Sequence, residues 1–431
     1  METSPIAGCE CARATDCTRA RLTLRNLLFL SHRIPYPPEK GDKIRAWHVL
    51  RYLARTHRIH LGCFVDDPAD RRNMAVLAAH CADLACFDLD PRRQRLKSLL
   101  RARPGQPLSL SYFRHRGLQR WVDDKLASGT IDAVYVFSAA MAGYVIDARG
   151  VRRILDMVDV DSAKWSAYAE NARFPARQVW AREGRTLLAF ERRAAAHFDY
   201  SLFVSEEEWQ CFAQSAPEAA GRTGWVRNGV DSQHFSPTHK FPPPFVNAGA
   251  DLVFTGRMDY RPNIDAVRWL AREVLPILRR RDPGVRFWIV GAAPTSDVLS
   301  LGELPGVRVT GRVPDTRPYL AAATVVVAPL RIARGTQNKL LEAMAMARPV
   351  VATPQAFQGV QAQPGRDILL ALGIDETVRG IIEVLDGRHP TMGAAARRAV
   401  EAAHQWSVTL RPLDWLFGMA QPEPVPAGLP A

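Results

Sequence analysis

No apolar run in this chain approaches the roughly 18–20 residues that a membrane-crossing helix requires. The opening stretch Met1–Ala20 also lacks the apolar core of a secretory signal. These absences predict a cytoplasmic protein, which the basic helix at 91–103 could place peripherally on the inner face of the membrane. Cysteine is sparse, with seven in 431 residues. The odd count argues against a paired disulfide framework and fits reduced thiols. Cys9, Cys11 and Cys17 lack Cys-x-x-Cys spacing and a fourth ligand, so they read as incidental thiols of a disordered extension over residues 1–23. Internal repeats and strict low-complexity tracts are missing too. Apolar residues make up 47% of the chain, which excludes disorder as the main state.

What is present is length and positive charge. A chain of 431 residues is too long for one ordinary core and suits two domains. The net charge of +13 attracts polyanions: nucleic acid, phosphorylated small molecules or anionic membrane. The arginines are scattered without aromatic interleaving or a known reader motif, so nucleic acid is not expected as a partner.

Strand-like apolar runs alternate with helical patterns, the mark of parallel α/β structure with buried strands. The first series has strands at 26–31, 59–65, 84–89, 133–137, 153–157 and 201–204, with helices such as 43–55 and 117–127 between them. A proline-rich break, Phe235-Ser-Pro-Thr-His-Lys-Phe-Pro-Pro-Pro-Phe245, sustains neither helix nor central strand. The alternation then restarts with strands at 252–255, 287–290, 307–310, 325–328 and 350–352. The fold class is therefore α/β, with two Rossmann-like domains whose ligand loops lie at the carboxyl ends of the strands. The expected boundaries are 24–225, a linker at 226–247, 248–405, a C-terminal helix at 406–418 packing back on the first domain, and a disordered tail at 419–431.

The most informative segment is Pro329–Pro349. A buried strand ends at Pro329, a loop containing Gly335 follows, and a helix begins near Gln337 or Asn338. Strand, glycine loop and helix N-terminus together offer free backbone N–H groups to a phosphate. Lys339 and Glu342, three apart, share a helix face. A lysine there can neutralise a diphosphate, and a glutamate beyond it can accept bonds from ribose hydroxyls. An exposed i,i+3 ion pair on an ordinary helix fits the spacing equally. The second candidate is Phe254–Asp265: a strand ends at Gly256, Arg257 follows in the crevice, and a helix starts near Asn263. Arg257 suits a second contact with the diphosphate, and a plain surface arginine is its alternative.

These residues resemble a family. The series Val226-Arg-Asn-Gly-Val-Asp231, Phe235-Ser-Pro237, Phe254-Thr-Gly-Arg257, and Glu342-Ala-Met-Ala345 with Arg348-Pro-Val-Val351 is similar to glycosyltransferase family 4, over roughly residues 24–405. Ser31–Arg45, Asp156–Trp165 and Arg331–Lys339 resemble, more narrowly, the sugar transferases associated with exosortase-type exopolysaccharide systems. The resemblance implies a GT-B fold, with two Rossmann-like domains facing each other across a cleft, the acceptor on the first and the nucleotide sugar on the second. It also implies retention at the anomeric carbon, no cofactor and no metal. By that resemblance Arg257 and Lys339 bind the donor diphosphate and act on the leaving group. Gly256, Gly335, Thr336, Gln337 and Asn338 line the donor site, Glu342 holds the ribose, and 228–231 marks the interdomain crossover. The chain departs from the pattern at three places. Arg334 stands where the first glutamate of a Glu-x7-Glu pair belongs, Arg261 or Pro262 where a lysine is usual, and Ser138 near an expected histidine.

On the acceptor side, Gly41 and Asp42 open a helix after a proline-stiffened loop, with Asp42 a suitable N-cap. Lys40, Lys43 and Arg45 could meet an acceptor pyrophosphate, or be the solvated charges of an ordinary capped helix. Asp159, with Asp156 and Asp161, suits acceptor hydroxyls or helix capping better than a metal. Residues 91–103 place Leu96, Leu99 and Leu100 on one face among Arg92, Arg93, Arg95, Lys97, Arg101 and Arg103. Such a helix can lie on anionic lipid or pack on a core with a solvated basic face. The expected partners are a nucleotide sugar, a glycan or polyprenyl-linked acceptor, and that membrane surface. A sugar-nucleotide 2-epimerase also uses two such domains and is the second reading.

Overall fold

The computed structural model describes residues 24–100, 104–170, 172–245, 249–332 and 336–419, apart from the Leu99 side chain. The expected N-terminal extension, residues 420–431 of the tail, residues 101–103 of the basic helix, and Arg334 and Gly335 lie outside the described residues.

Two parallel sheets carry the molecule. The first contains β1 (Arg25–Ser31), β2 (His57–Val65), β3 (Asp83–Asp88), β4 (Ala133–Phe137), β5 (Arg152–Val158), β6 (Tyr200–Phe203) and β7 (Thr223–Trp225), in the order β3-β2-β1-β4-β5-β6-β7. The second contains β8 (Asp251–Thr255), β9 (Arg286–Val290), β10 (Val307–Gly311), β11 (Val325–Ala328), β12 (Val350–Ala352) and β13 (Leu369–Leu370), in the order β10-β9-β8-β11-β12-β13. Helices cover both faces, which is why the strands are continuously apolar: Leu27–Leu30, Val134–Phe137 and Val325–Ala328 are all buried. Each order reverses beside its first strand, at β1/β4 and β8/β11, and a crevice opens there at the carboxyl ends.

The helices that position the site are α1 (Gly41–Leu53), α2 (Pro91–Leu100), α3 (Leu108–Tyr112), α4 (Asp161–Glu170), α5 (Ala176–His197), α6 (Arg261–Trp269), α7 (Asn338–Ala345), α8 (Trp406–Thr409) and α9 (Pro412–Leu416). Sequence periodicity placed the long strands within two residues. It missed β7 and β13, which are too short to show alternation. It also misjudged the start of α1. The helix begins at Gly41 after Lys40 with no side-chain cap, so Asp42 is not its N-cap.

The chain crosses between domains twice. Val230 pairs with Gln405, and Val230 N donates to His404 O at 2.7 Å. A Cβ on Gly229 would lie 2.8 Å from Trp406 N, so this approach admits only glycine. After the second crossing, Leu410, Leu413, Leu416 and Phe417 join the first-domain core formed by Leu27, Phe29 and Tyr135. Tyr52 Oη donates to Asp414 at 2.7 Å and Arg25 Nη1 to Phe417 O at 3.1 Å, fixing α9 on the first domain.

Candidate functional site

In the second domain, β8 is followed directly by Gly256 with φ +156°, and a Cβ there would meet Asn263 Nδ2 at 2.7 Å and Lys339 Nζ at 3.2 Å. Glycine thus keeps open the space where the first turns of α6 and α7 converge. Asn263 is held by its own Nδ2, which donates to Arg257 O at 2.8 Å. Its Oδ1 accepts from Lys339 Nζ at 2.5 Å, and the same ammonium sits 4.3 Å from the Phe254 ring centroid. No side chain caps α7. Thr336 Oγ1 and Asn338 Oδ1 are buried without a partner among the described residues, an arrangement costly to keep empty. Gly359 leaves room for Thr336: a Cβ on it would lie 2.5 Å from Oγ1.

Lys339 and Glu342 do not form the exposed ion pair that spacing allowed. Among the described residues neither takes part in a salt bridge, and both are half-buried. Burial pulls the Lys339 ammonium down to about 7, opposed by Glu342. Burial pushes the Glu342 carboxyl up to about 7, opposed by Lys339. The site therefore holds a cation and an anion that lack full compensation, on one helix face. Arg257 is exposed, its guanidinium bridged to Asp259 at 2.6 Å. Arg33 and Glu39 of the first domain act on it electrostatically, so it faces the cleft. Glu39 also reaches Arg312 of the second domain at 2.8 Å, spanning the cleft directly.

The first-domain wall differs from expectation. Asp42 binds Arg33 Nη1 at 2.8 Å and lies 3.3 Å from His32 Nε2. Burial opposes its ionisation, but His32 and Arg33 outweigh burial and hold the carboxyl well below the usual range. Gly41 beside it is exposed, with open space where a Cβ would point. Lys43 is buried against Asp70 at 2.5 Å. Arg45 is fully buried: Nε and Nη2 donate to Asp156 at 2.8 and 3.2 Å, and Nη1 to Val226 O and Asn228 Oδ1 at 2.7 and 3.1 Å. Both cations are spent inside the protein, so the expectation that Lys43 and Arg45 meet an acceptor is corrected. Arg45 instead ties α1 and β5 to the crossover. Asp159 is paired with Lys164 at 3.4 Å, beside Asp161 at 3.0 Å. Among the described residues no group of three His, Cys, Asp or Glu side chains is placed to hold a metal ion.

Sequence reasoning missed Asn263 and Phe254 as partners of Lys339, and His32, Arg33 and Glu39 on the facing wall. Only tertiary contact reveals them, although Asn263 stood at the recognised helix start.

Residues 249–386 match the family described as Glycosyl transferases group 1. No curated protein sequence matches the chain. Among solved structures, sucrose-phosphate synthase from Thermosynechococcus elongatus is 17% identical with a TM-score of 0.64, over 91% of this chain and 98% of that one. Anabaena HepE, solved with UDP and glucose, is 16% identical at TM-score 0.64, over 91% and 100%. WaaG, a glycosyltransferase involved in lipopolysaccharide biosynthesis, is 15% identical at TM-score 0.61, over 91% and 100%. The structural likenesses establish a GT-B fold. With the glycosyltransferase domain matched in the second half, the chain is a glycosyltransferase.

Proposed function

We propose that this enzyme moves a sugar, with retention, from a nucleotide-diphosphate sugar to a glycan or lipid-linked acceptor in exopolysaccharide biosynthesis. One observation carries the donor assignment. Lys339 stands at the uncapped start of α7, half-buried, held by a neutral amide and an aromatic face rather than by a carboxylate. A part-buried cation with no carboxylate in direct contact is the arrangement that a diphosphate completes. The solved complex of HepE with UDP-glucose supports a nucleotide sugar as the donor class.

As the sugar–phosphate bond breaks, negative charge grows on the departing diphosphate. Groups already aimed at that charge lower the barrier without reorganising. Lys339, the first-turn amides of α7 and Arg257 are those groups, with Glu342 accepting the ribose hydroxyls. The leaving phosphate oxygen takes the acceptor proton on the same face, so the mechanism uses no protein base. The exopolysaccharide role rests on the resemblance of 31–45, 156–165 and 331–339 to transferases of such systems.

The enzyme works at the inner face of the membrane. Among the described side chains of α2 the buried ones are Gln94 and Ser98, whereas Leu96 and Leu100 are 61% and 78% exposed among Arg92, Arg93, Arg95 and Lys97. Leucines turned to solvent on a basic helix favour lipid over core packing.

Incubating the purified enzyme with UDP-, GDP- and dTDP-sugars, with and without a membrane extract, tests the reading. Transfer predicts nucleotide release that depends on the extract, and a product with the donor's anomeric configuration. A changed free donor without any acceptor would favour the epimerase instead.

A further inference from the structure

Helices α4 and α5 pack against each other as an antiparallel pair. Helix α4 starts at Asp161, just past the carboxyl end of β5, on the cleft side. There Glu191 of α5 accepts from Ser162 N at 3.2 Å and from Ser162 Oγ at 2.5 Å, which fixes the level of the sheet edge on α5. The stretch of α5 from Ala176 to Glu191 then runs beyond that edge, about 20 Å at 1.5 Å per residue. The two helices approach closely: a Cβ on Gly184 would lie 2.6 Å from Ser166 Oγ.

The far end is apolar and basic. Tyr168, Phe174 and Val179 are 48%, 77% and 43% exposed. Trp165, Tyr168 and Trp180 form a ring cluster with centroids 5.9 and 5.8 Å apart behind them. Arg173, Arg177 and Arg185 are exposed on the same pair, and Phe174, Arg173 and Arg177 line a shallow open cleft with Gln178. Single exposed apolar residues are ordinary. Three on one projecting end, backed by two tryptophans and flanked by arginines, form a surface made for an apolar, anionic partner.

The neighbouring element has the same character. Arg182 Nη2 donates to Gln106 O at 3.1 Å, and the Glu183 carboxylate accepts from Leu108 N, Ser109 N and Ser109 Oγ at 2.7, 2.8 and 2.6 Å. These bonds fasten the α2–α3 connection to α5.

We infer that the α4–α5 end inserts its aromatic residues into the interface of an anionic lipid bilayer and so turns the cleft toward that surface. Charge complementarity chooses the partner: exposed arginines outnumber the single exposed carboxylate at this end, Glu170. Apolar insertion and cationic attraction acting together give stable interfacial binding where either alone is weak. Only the idea that this orientation presents a lipid-linked acceptor to the cleft rests on the function proposed above.

The test is flotation of the full chain with phosphatidylcholine vesicles, with and without phosphatidylglycerol, alongside nucleotide-sugar hydrolysis in solution. Wild type is expected to float with phosphatidylglycerol vesicles. F174S/V179S is expected to bind them about tenfold or more weakly, because exposed apolar groups lose their burial in lipid. R173Q/R177Q is expected to lose most of the difference between the two vesicle types. Both variants should keep wild-type melting and hydrolysis. Wild-type flotation by F174S/V179S, or no flotation by wild type, overturns the docking. If docking persists while no nucleotide sugar is turned over, the enzymatic reading fails and the surface stands.

Discussion

Lys339 Nζ lies 2.5 Å from Asn263 Oδ1, joining the first turn of α7 to the first turn of α6 across Gly256. An amide oxygen orients the ammonium without neutralising it, so its charge stays available to a ligand. Lys339→Met should lower kcat by about 10²–10³, the effect of removing one donor aimed at developing charge. Thermal stability should hold or rise, because a half-buried amine without a counter-ion is also lost. Steady-state kinetics with a calorimetric scan checks both, and near-wild-type turnover would remove Lys339 from the chemistry.

The pH dependence of donor binding follows from the same pair. In the empty site Lys339 and Glu342 both titrate near 7. A bound diphosphate raises the lysine, so binding above pH 7 takes up a proton and weakens as pH rises. Ribose hydroxyls favour the ionised carboxylate, so binding below pH 7 releases a proton and weakens as pH falls. Affinity should therefore peak near pH 7, and Glu342→Gln should flatten the acid limb and move the alkaline limb to lower pH, because Glu342 opposes the fall of the Lys339 value. Calorimetry in buffers of different ionisation enthalpy reads both proton counts. A monotonic profile in wild type would contradict the assignment.

The Arg45–Asp156 pair makes a prediction about stability rather than catalysis. Both side chains are fully buried, and Tyr135 Oη also donates to Asp156, at 2.6 Å. Arg45→Met leaves a buried carboxylate without its cation and should cost about 3–5 kcal/mol. Arg45→Met with Asp156→Asn should cost markedly less, because the orphaned charge is gone. Urea unfolding of the two variants checks this, and equal losses would mean that the ion pair is not the determinant.

The architecture was legible in the sequence because buried parallel strands read as apolar runs, and the break at 235–245 divided the two series. The grouping of Gly256 with Lys339 was legible because Gly256, Arg257, Lys339 and Glu342 sit at strand ends and helix starts, where local pattern and tertiary proximity coincide. The first-domain wall was not. Lys43 and Arg45 look like surface cations in a Gly-Asp-Lys-Ile-Arg string. Their burial depends on Asp70 and Asp156, which are distant in sequence and adjacent only once β1, β2 and β5 are assembled. Asp42 had the residue type of a cap, but Arg33 and His32 claim its carboxylate.

His404 should make the crossover acid-labile. It is fully buried, and its Nε2 accepts from Gln361 N at 2.7 Å, so the ring must be neutral at that nitrogen. Burial, with a smaller push from Arg227, depresses it from 6.5 to about 4. A histidine whose folded value is depressed stabilises the fold above its unfolded value and loses that contribution as pH falls toward the folded one. Stability should thus decline between pH 6.5 and about 4, by roughly 3 kcal/mol from this residue. Protonation there also breaks the bond from Gln361, which holds the second domain against the returning chain. His404→Asn keeps an acceptor but cannot titrate, so its urea midpoint should fall less steeply over that window. Parallel curves for wild type and variant would locate the acid sensitivity elsewhere, with His48 the next group to test, since burial depresses it equally to about 4.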